Sequence, residues 1–302
     1  MKKVSYFILF YVVILPLSLI PLKVLYILSS IIYIFLFYII KYRKRVVEEN
    51  LRNSFPEKSN KEIHLITKQY YKHLSDIFIE ALKMLTIRKS NLLKKYRCTN
   101  PEILDKYYKN NQSVILVSAH YNNWEYMVLS LSLHWLFHGI GVGKRMTNKT
   151  FERLMHKRRT RFNSEVCYND NVRETINKYI ETNRPCLYML LADQSPNDRN
   201  KCYWTRFLNQ DTPVIYGPEY IAKKYNFPVF FYRVNKLKRG YYSFDIIPIS
   251  DNPQSTEYGF ITQKHVSLLE EEIKKHPQYW LWSHKRWKLS PPEVLYQDSF
   301  KA

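Results

Sequence analysis

His120 and Glu125 are the residues whose types and spacing point most directly to chemistry in this chain. Imidazole exchanges protons near neutral pH. A neighbouring carboxylate could hold one ring nitrogen, fix the tautomer and leave the other nitrogen free to take a proton from an attacking hydroxyl. The spacing alone is equally compatible with a histidine capping a strand end beside a surface glutamate. The flanking residues supply the context. Val114 to Val117 is an aliphatic run bounded by polar residues and too short for a helix, so it reads as a buried strand, and His120 falls just past its end. Asn122 or Asn123 is a suitable N-cap for a helix from Trp124 to Leu136. Glu125 then sits in the first turn, where the helix dipole favours an anion.

The same layout recurs at Cys186 to Leu191, an apolar strand that ends abruptly in Ala192, Asp193 and Gln194. Two strands of one sheet with polar groups at their carboxyl ends predict a shared crevice, the usual ligand site of open α/β sheets. Asp193 and Gln194 could orient a substrate or the basic residues opposite, or Asp193 could cap the turn before Pro196. Between the two strands lies a helix through Phe151, Leu154, Met155 and Arg158, ending in the cationic run His156 to Arg161. Arg159 and Arg161 suit bidentate capture of phosphate; a solvated helix end would carry the same charges. His134 and His138 could share a helix face, but no third ligand accompanies them. Cys98, Cys167, Cys186 and Cys202 show neither metal-type spacing nor a disulfide framework, as in a reducing compartment. No metal or other cofactor is indicated.

These segments need an α/β scaffold, and 302 residues suffice for one. Tyr6 to Ile40 is almost wholly apolar and no cleavage site follows, so residues 1–45 are expected to be a membrane anchor, as one tilted span with a continuation along the interface or as a tight hairpin. A buried helical hairpin is the soluble alternative. Lys41, Arg43, Lys44 and Arg45 follow directly, which predicts a cytoplasmic catalytic portion. Residues 46–302 form the second unit. It starts with helical patterning from Val46 to Leu93, including a Ser59/Glu62 capping box. Alternating strands and helices follow: Gly139 to Gly143, Val172 to Glu181, Pro218 to Tyr225, a hairpin of Phe227 to Val234 with Tyr242 to Ile249, and Thr256 to Lys275. Trp204 to Thr212 reads as a polar and aromatic loop. The expected fold is α/β, a mixed open sheet flanked by helices. The net charge of +21 predicts anionic partners, including an anionic membrane surface.

In combination the chain resembles the lipid A biosynthesis (late, or secondary) acyltransferase branch of the lysophospholipid acyltransferase superfamily. The resemblance is carried by the N-terminal apolar stretch, Val47 to Pro56, His120 to Glu125 as an HX4E motif, and Arg159-x-Arg161. It continues through Ala192-Asp-Gln194, the Trp204 to Thr212 loop, Phe227-Pro-Val229 and Gln278 to Trp287. It implies a glycerolipid acyltransferase-like fold at the bacterial inner membrane. The implied reaction moves a fatty acyl chain from an acyl carrier protein thioester to a hydroxyl of a lipid A precursor. His120 would be the general base and Glu125 its partner; Arg159 and Arg161 would steady an oxyanion or a phosphate, and Asp193 and Gln194 match the family's Asp-Gln. Family members often carry glycines where this chain has Asn163 and Leu208-Asn209. Glycerophosphate or aminolipid acceptors would use the same dyad. A reading of another class is a non-enzymatic, membrane-anchored binder of anionic polymers, although nucleic acid is not the expected partner.

Overall fold

The computed structural model describes residues 9–291. The first three residues of the Tyr6 to Ile40 stretch therefore lie outside the described residues. In chain order the helices are α1 (Phe10–Leu19), α2 (Leu22–Ile39), α3 (Lys44–Ser54), α4 (Asn60–Lys83), α5 (Lys89–Lys95), α6 (Asp105–Lys109), α7 (Trp124–Ser130), α8 (Lys149–Arg159), α9 (Val172–Glu181), α10 (Gly217–Tyr225) and α11 (Phe260–Lys275). The strands are β1 (Tyr96–Cys98), β2 (Val114–Ser118), β3 (His138–Gly143), β4 (Glu165–Tyr168), β5 (Cys186–Leu191), β6 (Tyr203–Phe207), β7 (Gln210–Val214), β8 (Val229–Lys238) and β9 (Tyr241–Ser250).

Seven strands form one mixed sheet in the order β1-β9-β8-β2-β5-β3-β4. β8, β2, β5, β3 and β4 run parallel, and β9 turns back antiparallel to β8. The central strand β2 is buried along its whole length, and its side chains divide by the two-residue period of a strand. Val114 and Leu116 face a cluster with α5, α6 and α7, while Ile115 and Val117 face one with α9, α10 and α11. A third cluster, rich in aromatics, joins α2, α3 and α4 to Phe207, Leu208, Trp280 and Trp282.

Several expected elements take a different form. The helix after His120 stops at Ser130 instead of reaching Leu136, because the chain must turn back at once into β3. Gly139 permits that return, since a Cβ there would lie 2.7 Å from Ser132 Oγ. His134 and His138 consequently share no helix; His138 opens β3 and bonds Glu165. The region from 46 to 93 divides into α3, α4 and α5, and the expected Ser59/Glu62 capping box starts α4. The Trp204 to Thr212 loop is the two-stranded ribbon β6–β7, with Phe207 paired to Gln210 around a two-residue turn. Both turn residues, Leu208 (φ 49) and Asn209 (φ 63), are left-handed, as is Asn163 (φ 65). These three positions thus hold backbone of the kind glycine favours without a glycine. Asparagine tolerates that region; Leu208 is held in it by full burial of its side chain.

α2 is, among the described residues, the one helix long and apolar enough to cross a membrane; α1 is shorter.

Candidate active site

Strand register assembles the site. β2 and β5 pair in parallel with Ser118 opposite Leu191. Two residues further along each chain, His120 and Asp193 meet at the sheet's carboxyl edge. His120 Nδ1 lies 2.8 Å from Asp193 Oδ1, and the His120 backbone N–H donates to Asp193 Oδ2 at 3.0 Å. The Trp280 indole N–H donates to that same oxygen at 2.9 Å. Burial alone would raise the Asp193 carboxyl, but the imidazole beside it and these hydrogen bonds outweigh burial and hold it below its usual value. An ionised Asp193 can only accept, so the network assigns the ring proton to Nδ1 and leaves a lone pair on Nε2. Gln194 Nε2 is 3.3 Å from that nitrogen, and the Trp124 ring packs edge-on against the imidazole at 5.6 Å between centroids. The ring is held on two sides, with its unprotonated Nε2 at a cavity, where it accepts from the Gln194 amide.

Glu125 is engaged elsewhere, which corrects the expected contact with the imidazole. From the first turn of α7, whose N-cap is Asn123, its carboxylate takes 3.1 Å from Arg158 Nη2 and 2.9 Å from Arg159 Nη2. Burial pushes the Glu125 carboxyl up, and the two guanidinium charges more than reverse this, so it titrates below its usual value. The physical reason is steric and electrostatic together. α8 packs against α7 and delivers two permanent cations to the one acid buried there, while the sheet register has already given His120 a closer carboxylate.

The basic run divides its work. Arg158 also donates to the Ala81 carbonyl at 3.0 Å, and Arg161 donates to the carbonyls of Met84 and Ile87. Both satisfy backbone carbonyls at and beyond the end of α4, a common role for arginine. Arg161 is therefore not placed with Arg159 as a phosphate-binding pair. Arg159 does line the cavity.

That cavity, about 670 Å³, is lined by His120, Gln194 and Arg159 together with Lys144, Arg173 and Lys288. Among the described residues, no carboxylate lines it. Val128, Val142, Val166, Met189 and Leu190 supply apolar lining, and Gly141 and Gly143 of β3 line it without side chains. A Cβ at Gly143 would meet nothing within 4 Å. The space suits a ligand with an anionic head and an aliphatic body.

Lys144, Arg158, Arg173, Lys288, Trp280 and His284 were not expected site residues. His284 lines the cavity and accepts the Ser195 backbone N–H at 3.0 Å; burial lowers its imidazole to about 4, so it is neutral at pH 7. The Val47 to Pro56 segment positions it, because Asn50 donates to the carbonyls of both Trp282 and His284 at 2.9 and 3.0 Å. Trp280, Asn50 and His284 all lie in quoted motif segments, and that membership was the available signal. The scattered cations carried none.

A family model described as bacterial lipid A biosynthesis acyltransferase matches residues 1–289. A search of curated proteins gives no match.

Proposed function

The chain belongs to the bacterial lipid A biosynthesis acyltransferase family, and from that premise we propose that it moves a fatty acyl chain from an acyl carrier protein thioester to a hydroxyl of a lipid A precursor at the cytoplasmic face of the inner membrane. The observation that carries the proposal is the His120–Asp193 pair with its unprotonated Nε2, which only the Gln194 amide of the described residues contacts, at a cationic, aliphatic-walled cavity. In the proposed step His120 Nε2 takes the proton of the acceptor hydroxyl as its oxygen attacks the thioester carbonyl. Asp193 holds the ring in the working tautomer and stabilises the imidazolium that forms. Negative charge moves to the carbonyl oxygen, where Gln194 and Arg159 are the donors within the cavity. Collapse expels the carrier thiolate, which recovers the proton from the imidazolium. Glu125 serves by fixing Arg158 and Arg159, in place of the direct histidine contact expected at first. Lys144, Arg173 and Lys288 suit the phosphates of the acceptor or of the carrier's prosthetic arm, and the +21 charge favours approach of both anionic substrates.

The test is transfer of radiolabel from acyl carrier protein to a purified lipid A precursor by the full chain in detergent micelles, with glycerol 3-phosphate as a competing acceptor. Labelled lipid A supports the proposal. Label on glycerol 3-phosphate alone, or on neither acceptor, rejects it.

A further inference from the structure

α2 has two apolar faces, and they are used differently. Its inner face docks antiparallel on α4 along its full length, which for 18 residues is about 27 Å. Leu22 and Tyr26 pack at Gly240. Next, Tyr26 Oη donates to Glu80 at 2.7 Å, and Ser29 Oγ to Asp76 at 2.6 Å. Further on, Lys72 Nζ lies 5.6 Å from the Tyr33 ring, and Phe37 meets Tyr71 at 5.6 Å between centroids. Asp76 in turn binds Arg239 at 2.6 Å and has Lys236 Nζ 3.8 Å away.

This docking bears on how the helix can meet a bilayer. Ser29 is near the midpoint of α2. Were α2 to cross the membrane, the Asp76–Arg239 pair, Lys236 and the exposed Lys72 would be carried into the hydrocarbon with it. Charged groups at that depth are strongly disfavoured. The outer face is apolar all the same. Val24, Ile27, Ile31, Ile34 and Tyr38 recur every three or four residues, and each is about half exposed or more. Large contiguous apolar faces of this kind mark partner or membrane surfaces. Cations rim the strip: exposed Lys41 and Arg45 just past its carboxyl end, Arg239 near its amino end and Lys72 at its flank.

We infer that α2 is not a span. It lies flat in the headgroup region of an anionic leaflet, inner face fastened to α4, outer face sunk in the acyl boundary, with the surrounding cations on lipid phosphates. The occupant of the strip is thus the lipid surface itself. Through Glu80, which also binds Asn123 at the start of α7, the submerged helix sits one side chain from the site's own cap. The inference deepens the proposed membrane location without relying on acyl transfer.

Depth measurement decides it. Single nitroxide labels at Val24→Cys, Ile27→Cys, Ile31→Cys, Ile34→Cys and Tyr38→Cys are placed in the full chain carrying Cys98→Ala, since Cys98 alone of the four native cysteines is not buried. The protein is bound to vesicles of phosphatidylethanolamine with phosphatidylglycerol. A flat helix gives one shallow depth at all five sites. A profile deepest at Ile31 with both ends in water overturns the inference, and so does water exposure at every site. The doubly changed Ile27→Lys, Ile34→Lys chain should lose at least about tenfold in vesicle binding with an unchanged thermal melt, because both side chains are exposed. Undiminished binding counts against the inference. A uniform shallow depth in a protein that transfers no acyl group would sink the proposed activity and leave the membrane geometry standing.

Discussion

The sheet corner and the helix corner of the site each hold a buried carboxylate, and they hold it by opposite means. Asp193 faces a titratable imidazole, a backbone N–H and an indole N–H, all fixed by the β2–β5 register and the C-terminal segment. Glu125 faces two guanidiniums brought by a neighbouring helix. The first arrangement can pass a proton and reset; the second is an ion-pair lock, because arginine stays charged throughout. Nearness in sequence pointed to Glu125 as the partner of His120. Register placed a residue 73 positions away closer.

The largest effect separates base from lock. His120→Ala is expected to lower kcat/KM by roughly a hundredfold to ten-thousandfold, the range of general base catalysis. Asp193→Asn should approach that loss at unchanged fold, since an amide can present the wrong tautomer to the ring. The measurement is steady-state acyl transfer beside a thermal melt. Glu125→Gln should do the reverse, acting first on stability. Removing one partner of a buried ion pair costs about 3–5 kcal/mol, and here two guanidiniums lose their counter-charge, so a lowered Tm with a smaller loss of kcat is expected. If instead Glu125→Gln abolishes turnover at full stability while Asp193→Asn retains activity within a few fold, the two corners have been assigned the wrong way round.

Local signals made much of this legible. The capping box at Ser59, the strand under Val114, helix α9 and the β8–β9 hairpin each follow from a period or a cap within a dozen residues. What stayed hidden was long-range. Asp193 was visible as a strand-end acid, but its partnership with His120 depends on which strands are neighbours and in what register. β1 and β4 are too short, at three and four residues, to show a period. The β6–β7 ribbon escaped because its turn is Leu208-Asn209; the usual two-residue hairpin signal is Asn-Gly or a close relative. Arg161 looked equivalent to Arg159 by type, yet two residues of α8's end separate a cavity wall from the carbonyls that follow α4.

The smallest expected effect tests the same contrast through acid. Around the sheet corner His265 is buried and His284 half-buried, and burial lowers both to about 4 from an ordinary 6.5. Their folded values lie below the unfolded one, so between pH 6.5 and 4 the unfolded chain binds protons that the native chain refuses. Stability must then fall as pH falls through that window, by up to about 1.4 kcal/mol per pH unit for a fully buried histidine. The partly exposed His284 should contribute less. At the helix corner Glu125 is depressed, so its contribution is intact above the ordinary carboxylate value and is lost as pH falls from there through its lowered folded value, at the acid end of the window and below it. Denaturant unfolding from pH 7 to 4 should therefore show a steady loss that His265→Gln flattens by close to one histidine's share. A slope unchanged by His265→Gln would mean that the imidazole is already protonated in the native core, and the sheet corner would lose its distinction as the acid-sensitive half of the site.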